Sequence, residues 1–206
     1  MVPVRVTIAD LDMDGYPFEQ QVADNEGVEL VFLDSSTGPL RDPRVKGSDG
    51  LLVQYALVDA EAMDALLPEL KVIGRYGVGV DNIDLDAATA RGIKVVNVPD
   101  YGAQSVADHA LALVMAVARN LLVLDATARS GSANLEAAMP IHQNCDQRLG
   151  VLGFGTIGRA FAVKARGAGF ETVVCDPMIP ESTTEAGGFT VVTMEELLAT
   201  CDVISI

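Results

Sequence analysis

Short apolar runs alternate with segments of helical periodicity along the first half of the chain. Five runs are continuous and rich in valine or isoleucine, which is typical of parallel strands buried on both faces. They occupy residues 4–10, 28–34, 50–55, 71–76 and 93–98. The intervening segments 17–26, 59–67 and 84–91 have apolar positions at helical spacing. This alternation predicts a doubly wound α/β sheet with right-handed crossovers.

The same alternation restarts after a long apolar segment. Residues 103–124 are apolar over much of the helical circumference and predict one long buried helix. Residues 125–146 lack clear periodicity and predict an extended connection. Strands are then predicted at 149–154, 172–175, 189–192 and 202–206, with helices at 156–168 and 194–200. Thr193 and Glu196 have the spacing of a capping box for the last helix. We therefore expect two domains, residues 1–99 and 100–206.

Composition and charge limit the classes of partner. The 206 residues carry a net charge of −15, which opposes non-specific binding to nucleic acid or to acidic membranes. No apolar run reaches membrane-spanning length, and the N-terminus lacks a signal-peptide pattern, so we expect a cytoplasmic protein. The three cysteines are scattered, which favours free thiols over a zinc site. Any anionic ligand must be held by local features of the chain.

A glycine motif lies between the strand at 149–154 and the helix at 156–168. Gly153, Gly155 and Gly158 have GxGxxG spacing, which is typical of a dinucleotide-binding turn. The first glycine permits a tight turn, the second lets the backbone approach a pyrophosphate, and the third lets the helix pack closely on the strand. The backbone N–H groups of Thr156 and Ile157, in the first helical turn, would then face the phosphates.

An acidic residue follows the motif at the spacing of a ribose-binding carboxylate. Asp176 ends the strand at 172–175 and lies 18 residues after Gly158 (176 − 158). No arginine follows it in residues 177–182, so a 2′-phosphate would meet repulsion without compensation. These features predict that the cofactor is NAD. The alternative is a structural glycine turn with an unrelated surface aspartate.

Longer motifs in the first half carry a family resemblance. The segment at 72–119, which includes RYGVGVDNID and GIKVVNVP, is followed by GFGTIG and then by an Asp-Pro pair. Together these resemble the D-2-hydroxyacid dehydrogenase family, over essentially the whole chain. The resemblance implies a flavodoxin-like doubly wound substrate-binding domain at 1–99, followed by an NAD-binding Rossmann domain at 100–206. It also implies hydride transfer between NAD and the CH–OH group of a small 2-hydroxy acid.

The resemblance assigns further site residues. In the family, the backbone N–H groups of one loop hold the substrate carboxylate, and that loop matches Tyr76, Gly77, Val78 and Gly79. Arg75 could add positive charge beside the carboxylate, although a solvated strand-end arginine is the alternative. Contacts with the cofactor are implied for three further positions: Val78, Val106 and Pro177.

Other titratable residues have simpler interpretations. Asp84 is predicted to cap the helix that begins at Leu85, and Asp81 to form a turn, so no metal site is expected from this pair. His109 lies within an apolar helix and His142 within the irregular connection. Neither histidine matches the position of the family's catalytic histidine, so we expect both to be packed or solvated.

The last predicted strand bears on how much of the site is present. In a dinucleotide-binding sheet of order 3-2-1-4-5-6, residues 202–206 would be strand four, beside strand one. The Rossmann domain is then expected to be incomplete, and the resemblance implies that the catalytic Arg, Glu and His lie beyond Ile206. The 206-residue chain alone is therefore expected to be inactive.

Two functions stay open, because dehydrogenases and the C-terminal-binding-protein corepressors share this pattern. The first is an NAD-dependent oxidoreductase, and the alternative is a non-catalytic, NAD-responsive regulatory protein. As in the family, a homodimer through the 103–124 helix is expected, because that helix carries more apolar surface than a monomer of this size needs.

Overall fold

The computed structural model describes residues 3–10, 12, 15–33, 38–132, 134–180 and 182–206. The chain divides into two compact units, Met1–Tyr101 (unit 1) and Gly102–Ile206 (unit 2). Each unit contains one five-stranded sheet.

Unit 1 is a parallel sheet whose strands alternate with helices along the chain. The strands are β1 (Arg5–Ile8), β2 (Glu29–Phe32), β3 (Gly50–Val53), β4 (Val72–Arg75) and β5 (Lys94–Val96), and the helices are α1 (Pro17–Glu26), α2 (Ala60–Asp64) and α3 (Leu85–Ala90). The strand order is β2-β1-β3-β4-β5, with every pair parallel. This is the flavodoxin-like doubly wound order, so the predicted fold class is confirmed. Asp34, at the end of the predicted second strand, lies outside the described residues.

The main core of unit 1 lies between the sheet and helices α2 and α3. Leu51 and Ile73 on the strands are completely buried against Met63 and Leu66 from the α2 region. Valine and isoleucine predominate on these strands because both faces of a parallel sheet receive helices. The apolar runs in the sequence therefore correspond to real strands, although each strand is shorter than its run.

A buried carboxylate lies at the carboxyl end of this sheet. Asp10 follows β1 and is only 6% exposed. It accepts hydrogen bonds from the backbone N–H groups of Gln54 (2.9 Å), Tyr55 and Ala56 (3.1 Å), which follow β3. A buried carboxylate is tolerated when hydrogen bonds replace its hydration. Asp10 therefore fixes the loop after β3 relative to the loop after β1.

Unit 2 is a second doubly wound sheet. Its strands are β6 (Arg148–Leu152), β7 (Glu171–Cys175), β8 (Glu185–Ala186), β9 (Phe189–Val191) and β10 (Val203–Ser205), and its helices are α4 (Ala103–Ala118), α5 (Leu121–Arg129), α6 (Thr156–Gly167) and α7 (Met194–Thr200). The order is β10-β6-β7-β9-β8, so β10 lies beside β6, as predicted for strand four beside strand one. Thr193 caps α7 by accepting from the N–H of Glu196 (3.1 Å).

One strand of unit 2 was not predicted. β8 pairs antiparallel with β9 through a hairpin whose turn residues, Gly187 and Gly188, both have positive φ. Successive glycines suit a tight hairpin turn because they adopt positive φ without steric cost. The hairpin adds an edge strand beyond β9.

The prediction of one helix over 103–124 is wrong. α4 ends at Ala118, α5 begins at Leu121, and the two axes are bent by 63°. Asn120 separates them with φ +48°, a left-handed conformation that asparagine tolerates at helix ends. Its side-chain amide donates to the carbonyl of Ala138 (2.6 Å), which holds the bend in place.

The segment at 125–146 is also more ordered than predicted. Its first five residues belong to α5, and two 3-10 turns follow at Glu136–Ala138 and Asn144–Asp146. Asn144 donates to the carbonyl of Ala168 (2.9 Å), beyond the end of α6. The sequence pattern missed this order because tertiary hydrogen bonds, not helical periodicity, maintain it. Across the described ranges, no single helix is long and apolar enough to cross a membrane; α4 and α5 pass that test only as a bent pair.

We expect Asp10→Ala to destabilise unit 1, because three N–H groups lose their shared acceptor. The expected loss in the free energy of unfolding is about 3 kcal/mol, and Asp10→Asn should lose less because one acceptor oxygen remains. Urea unfolding followed by circular dichroism measures both. Asp24→Ala is the matched control, because the Asp24 carboxylate is exposed and bonds only the Gln20 side chain. Equal stability of Asp10→Ala and Asp24→Ala would contradict the bracing role.

Candidate functional site

The glycine motif of unit 2 forms a turn at the carboxyl end of β6. Gly153 has φ +95°, and its N–H donates to the carbonyl of Cys175 (2.8 Å). The carbonyl of Gly155 accepts the first helical hydrogen bond of α6, from the N–H of Arg159 (3.0 Å). The N–H groups of Thr156 and Ile157 therefore precede the hydrogen-bonded part of the helix and have no acceptor within it. Both residues are exposed, so these donors can meet an anion.

The last two glycines of the motif differ in their surroundings. A Cβ at Gly158 would lie 1.9 Å from the carbonyl oxygen of Gly153, so only glycine allows α6 to pack this closely on the turn. A Cβ at Gly155 would meet nothing within 4 Å, which means that the space in front of this residue is open. Gly158 thus serves packing, while Gly155 leaves room for a ligand to approach the backbone.

A carboxylate lies beside this turn. One oxygen of Asp176 accepts from the N–H of Phe154 (2.6 Å) and the other from the N–H of Met178 (2.7 Å). These two bonds, and then the positive charge of Arg159, hold the pKa of Asp176 below its usual value against the opposing effect of burial. The group is therefore ionised at neutral pH. Each oxygen keeps a free lone pair, so Asp176 can also accept hydroxyl groups. Pro177, next in the chain, is exposed.

The second candidate region lies in unit 1, at the carboxyl end of β4. Arg75 is the last residue of β4, and Gly77 has φ +149°. A Cβ at Gly77 would lie 1.6 Å from a guanidinium nitrogen of Arg75, so the glycine makes room for the arginine side chain. The Nε of Arg75 is buried and has no hydrogen-bond partner among the described residues. The guanidinium is thus held against the loop instead of extending freely into solvent.

The loop after β4 offers two free N–H groups, not four. The N–H of Tyr76 donates to the carbonyl of Val53 (2.8 Å), and the N–H of Gly77 to the carbonyl of Arg75 (2.9 Å). Val78 and Gly79 are exposed, and their N–H groups meet no acceptor in the part of the chain that the structure describes. Asn97 donates to the carbonyl of Val78 (2.7 Å), which fixes the loop from the other side.

The Tyr76 side chain is occupied elsewhere. Its hydroxyl donates to the Glu19 carboxylate on α1 (3.0 Å). Burial, followed by this hydrogen bond and the charge of Glu19, raises the pKa of Tyr76 well above its ordinary value. The phenol therefore stays protonated at neutral pH, and its hydrogen bond to Glu19 links the loop to α1.

The aspartates after this loop have structural roles. Asp84 caps α3 by accepting from the N–H of Ala87 (2.8 Å), as predicted. Asp81 lies in a turn closed by the hydrogen bond from the N–H of Ile83 to the carbonyl of Val80 (2.9 Å), also as predicted. Within the described ranges, no cluster of three His, Cys, Asp or Glu side chains could hold a metal ion.

Among the described residues, no second side chain orients either histidine for proton transfer. His109 is exposed on α4, and His142 is exposed in the connection, where its carbonyl accepts from Arg119 (2.8 Å). For both imidazoles, the described residues supply no carboxylate partner. Val106, one turn before His109, is 48% exposed on the same helix.

An apolar cavity of about 460 Å³ lies on the opposite face of the unit 1 sheet, beside α1. Phe18 and Val22 line it from the helix, and Leu52, Val72 and Val96 from the strands. Its lining also includes Glu19, the carboxylate that accepts from the Tyr76 hydroxyl. Apart from this carboxylate, which would repel the anion of a hydroxy acid, the lining is apolar.

Two residues in or next to the glycine motif were missed by the sequence reasoning. Phe154 occupies a variable position of the motif, and Arg159 follows its last glycine. The guanidinium carbon of Arg159 lies 4.5 Å from the centroid of the Phe154 ring. The available signal was the position of Arg159 four residues after Gly155, one helical turn into α6. Helical spacing alone did not reveal that its side chain packs on the ring of Phe154, whose backbone N–H donates to Asp176.

Comparisons with known proteins identify the family of the chain. Residues 8–202 match the family model described as D-isomer specific 2-hydroxyacid dehydrogenase, catalytic domain. The D-3-phosphoglycerate dehydrogenase of Mycobacterium bovis is 38% identical over 183 residues, covering 87% of this chain and 34% of that protein. The chain thus spans about a third of the length of the curated relatives it matches.

Solved structures give the same result. The D-lactate dehydrogenase of Aquifex aeolicus, crystallised with NAD and lactic acid, has a TM-score of 0.82 and 25% identity, covering 97% of this chain and 59% of that one. A glyoxylate reductase from Paecilomyes thermophila has a TM-score of 0.78 and 25% identity, covering 99% and 64%.

Substitution by alanine should have different effects at Gly158 and at Gly155. Gly158→Ala should lower the free energy of unfolding by about 2 kcal/mol or more, because its Cβ overlaps a backbone carbonyl. Gly155→Ala should leave thermal unfolding nearly unchanged but weaken NADH binding about tenfold or more, equivalent to ~1.4 kcal/mol. Thermal unfolding and calorimetric titration measure the two effects. If Gly155→Ala bound NADH as tightly as the wild type, the cofactor would not be held at this turn.

Proposed function

Because the chain belongs to the D-isomer-specific 2-hydroxyacid dehydrogenase family, we propose that it supplies the NAD-binding and carboxylate-binding elements of an oxidoreductase acting on a small 2-hydroxy acid. One observation carries this proposal most directly. The open turn at Gly155, the free N–H groups of Thr156 and Ile157, and the ionised carboxylate of Asp176 lie together at the carboxyl ends of the parallel strands β6 and β7. Open α/β sheets bind ligands at that edge.

In the proposed complex, unit 2 holds the adenosine and pyrophosphate parts of NAD. Gly153, Gly155 and Gly158 form the turn, and the N–H groups of Thr156 and Ile157 donate to the pyrophosphate. Asp176 accepts the ribose hydroxyls, with Pro177 beside it. Once bound, NAD supplies hydride chemistry at its nicotinamide ring. Val78 and Val106 are proposed as further cofactor contacts on the strength of the family resemblance alone.

Unit 1 is proposed to hold the substrate carboxylate. The N–H groups of Val78 and Gly79 are exposed and free, whereas those of Tyr76 and Gly77 are used within the loop. Two adjacent backbone donors suit one carboxylate. Arg75 adds positive charge behind the loop, and its buried Nε lacks a partner among the residues described. Tyr76 and Gly77 then shape the loop, and Val78 and Gly79 bind.

Substrate turnover needs groups that we do not find among the residues that the structure describes. Reduction of a 2-keto acid requires a donor for the carbonyl oxygen and an acid that delivers a proton. His109 and His142 are exposed and have no carboxylate partner in the described ranges. We therefore propose that this 206-residue polypeptide binds NADH without using it, and that the family's catalytic Arg, Glu and His complete the site in the full enzyme.

We also propose that the chain forms a homodimer through α4 and α5. The two helices leave several large apolar side chains exposed: Leu113, Val117, Leu121 and Leu122. Val117 and Leu122 are 72% and 78% exposed, on opposite sides of the bend at Asn120. Contiguous apolar surface of this kind marks a site of association.

The cofactor proposal predicts binding without turnover. Isothermal titration should give one NADH site per chain, and NADH absorbance should stay constant with pyruvate, glyoxylate or hydroxypyruvate present. Proton transfer alone is worth about 10²–10⁴ in rate, so its loss should place turnover below detection. A preparation whose mass confirms residues 1–206 is required. The formation of a D-2-hydroxy acid by this preparation would show that the catalytic groups lie within residues 1–206, and the roles of His109 and His142 would have to be reconsidered. A lack of NADH binding would refute the cofactor site.

The dimer proposal predicts that charge on the exposed helical face breaks association. Val117→Glu combined with Leu122→Glu should convert a dimer into a monomer in light scattering at about 10 µM protein, a concentration at which apolar surfaces associate. Leu198→Glu is the control, because Leu198 is 65% exposed on α7, outside the proposed interface. A wild-type monomer under these conditions would count against the interface. So would an equal effect of the Val117→Glu/Leu122→Glu double variant and of Leu198→Glu.

A further inference from the structure

Arg159 lies at the adenosine end of the proposed cofactor site. It is the fourth residue of α6, and its guanidinium carbon is 4.5 Å from the centroid of the Phe154 ring. A guanidinium at this distance from an aromatic face is held by a cation–π interaction. The hairpin between β8 and β9 borders the same group, since a Cβ at Gly187 would lie 3.8 Å from a guanidinium nitrogen of Arg159 and 3.5 Å from the Phe154 ring.

Phe154 connects this cation to the ribose-binding carboxylate. Phe154 is only 2% exposed; its ring packs against the Arg159 guanidinium, and its backbone N–H donates to Asp176 (2.6 Å). The two charged side chains are not paired with each other, because both Asp176 oxygens accept from backbone N–H groups and the guanidinium rests on the ring. Phe154 therefore contacts both charged groups, the carboxylate through its backbone N–H and the guanidinium through its ring.

We propose that Arg159 is a specificity-determining residue that can bind the 2′-phosphate of NADP(H), and that Asp176 prevents it from doing so. This inference rests on the proposed function, because it requires a dinucleotide at the glycine turn. A carboxylate beside the 2′-position repels a phosphate, whereas a guanidinium binds phosphate through charge-assisted hydrogen bonds. The balance of these two side chains sets the preference for NAD(H).

The sequence pointed to a simpler account. No arginine occurs in residues 177–182, which suggested that nothing could compensate a 2′-phosphate. In the folded unit, the positive charge comes instead from α6, on the other side of the turn. The pKa of Asp176 is lowered first by its backbone hydrogen bonds and also by Arg159, so the two charges do interact. Arg159 therefore moderates the rejection of NADP(H) even in the wild type.

The test is a four-protein cycle titrated calorimetrically with NADH and NADPH at one ionic strength. The proteins are the wild type, Arg159→Ala, Asp176→Ser and the double variant. We expect the wild type to favour NADH, Arg159→Ala to widen that preference, and Asp176→Ser to reverse it. The double variant should lose NADPH affinity relative to Asp176→Ser by about tenfold or more, the size of one charge-assisted hydrogen bond.

Arg166→Ala in the Asp176→Ser background is the matched control. Arg166 lies on the same helix with its guanidinium carbon 4.2 Å from the centroid of the Phe189 ring, and it donates to the carbonyl of Gly188 (3.0 Å). It has the same charge and the same kind of stacking, but Asp176 and the glycine turn do not contact it. NADPH affinity should therefore be unchanged by this substitution.

The outcomes separate this inference from the cofactor proposal. If the wild type binds neither dinucleotide, the cofactor site is refuted and the inference falls with it. Two outcomes would refute the role of Arg159 and leave the cofactor site standing. In the first, the wild type binds NADH but Asp176→Ser gains no NADPH affinity. In the second, the double variant binds NADPH as tightly as Asp176→Ser does. Circular dichroism checks folding, and Asp176→Asn replaces Asp176→Ser if the serine variant unfolds, because asparagine retains an acceptor for one of the two N–H groups.

Discussion

The contact between α6 and the turn after β6 is the constraint on which unit 2 depends. A Cβ at Gly158 would lie 1.9 Å from the carbonyl oxygen of Gly153, so the helix can begin where it does only without a side chain there. This close contact places the first N–H groups of α6 at the end of the strand. It also brings Phe154 within hydrogen-bonding distance of Asp176, which comes from the neighbouring strand. The geometry of the proposed cofactor site depends on the absence of a side chain at Gly158.

The net charge of −15 makes the local placement of positive charge important. At the two proposed sites, the groups that can attract anions are backbone N–H groups and two arginines with restrained side chains. Arg75 lies against the backbone of Gly77, and Arg159 lies on the Phe154 ring. Both are positioned by features with no charge, a glycine in one case and an aromatic ring in the other. An arginine restrained in this way loses less conformational entropy when it binds an anion.

The two units hold the loops at the carboxyl ends of their strands in place by different interactions. In unit 1, the Asp10 carboxylate gathers three N–H groups of the loop after β3, and the Tyr76 side chain reaches Glu19 on α1. In unit 2, the main support is the glycine turn itself. The first solution costs a buried carboxylate that must be fully hydrogen-bonded, while the second requires only the absence of a side chain.

The sequence by itself determined the strands other than β8, their parallel arrangement, the glycine turn and the Asp84 cap, because each depends on local periodicity or on a short motif. Tertiary structure alone decided the rest. Asn120 breaks the 103–124 segment because its amide reaches the carbonyl of Ala138, a contact that periodicity does not record. The Tyr76 N–H is unavailable to a ligand because it extends the pairing with Val53. Arg159 approaches Asp176 because a helix and a strand distant in sequence meet at Phe154. Local patterns specify elements, whereas the availability of a donor or a charge depends on which partners the packed fold brings to it.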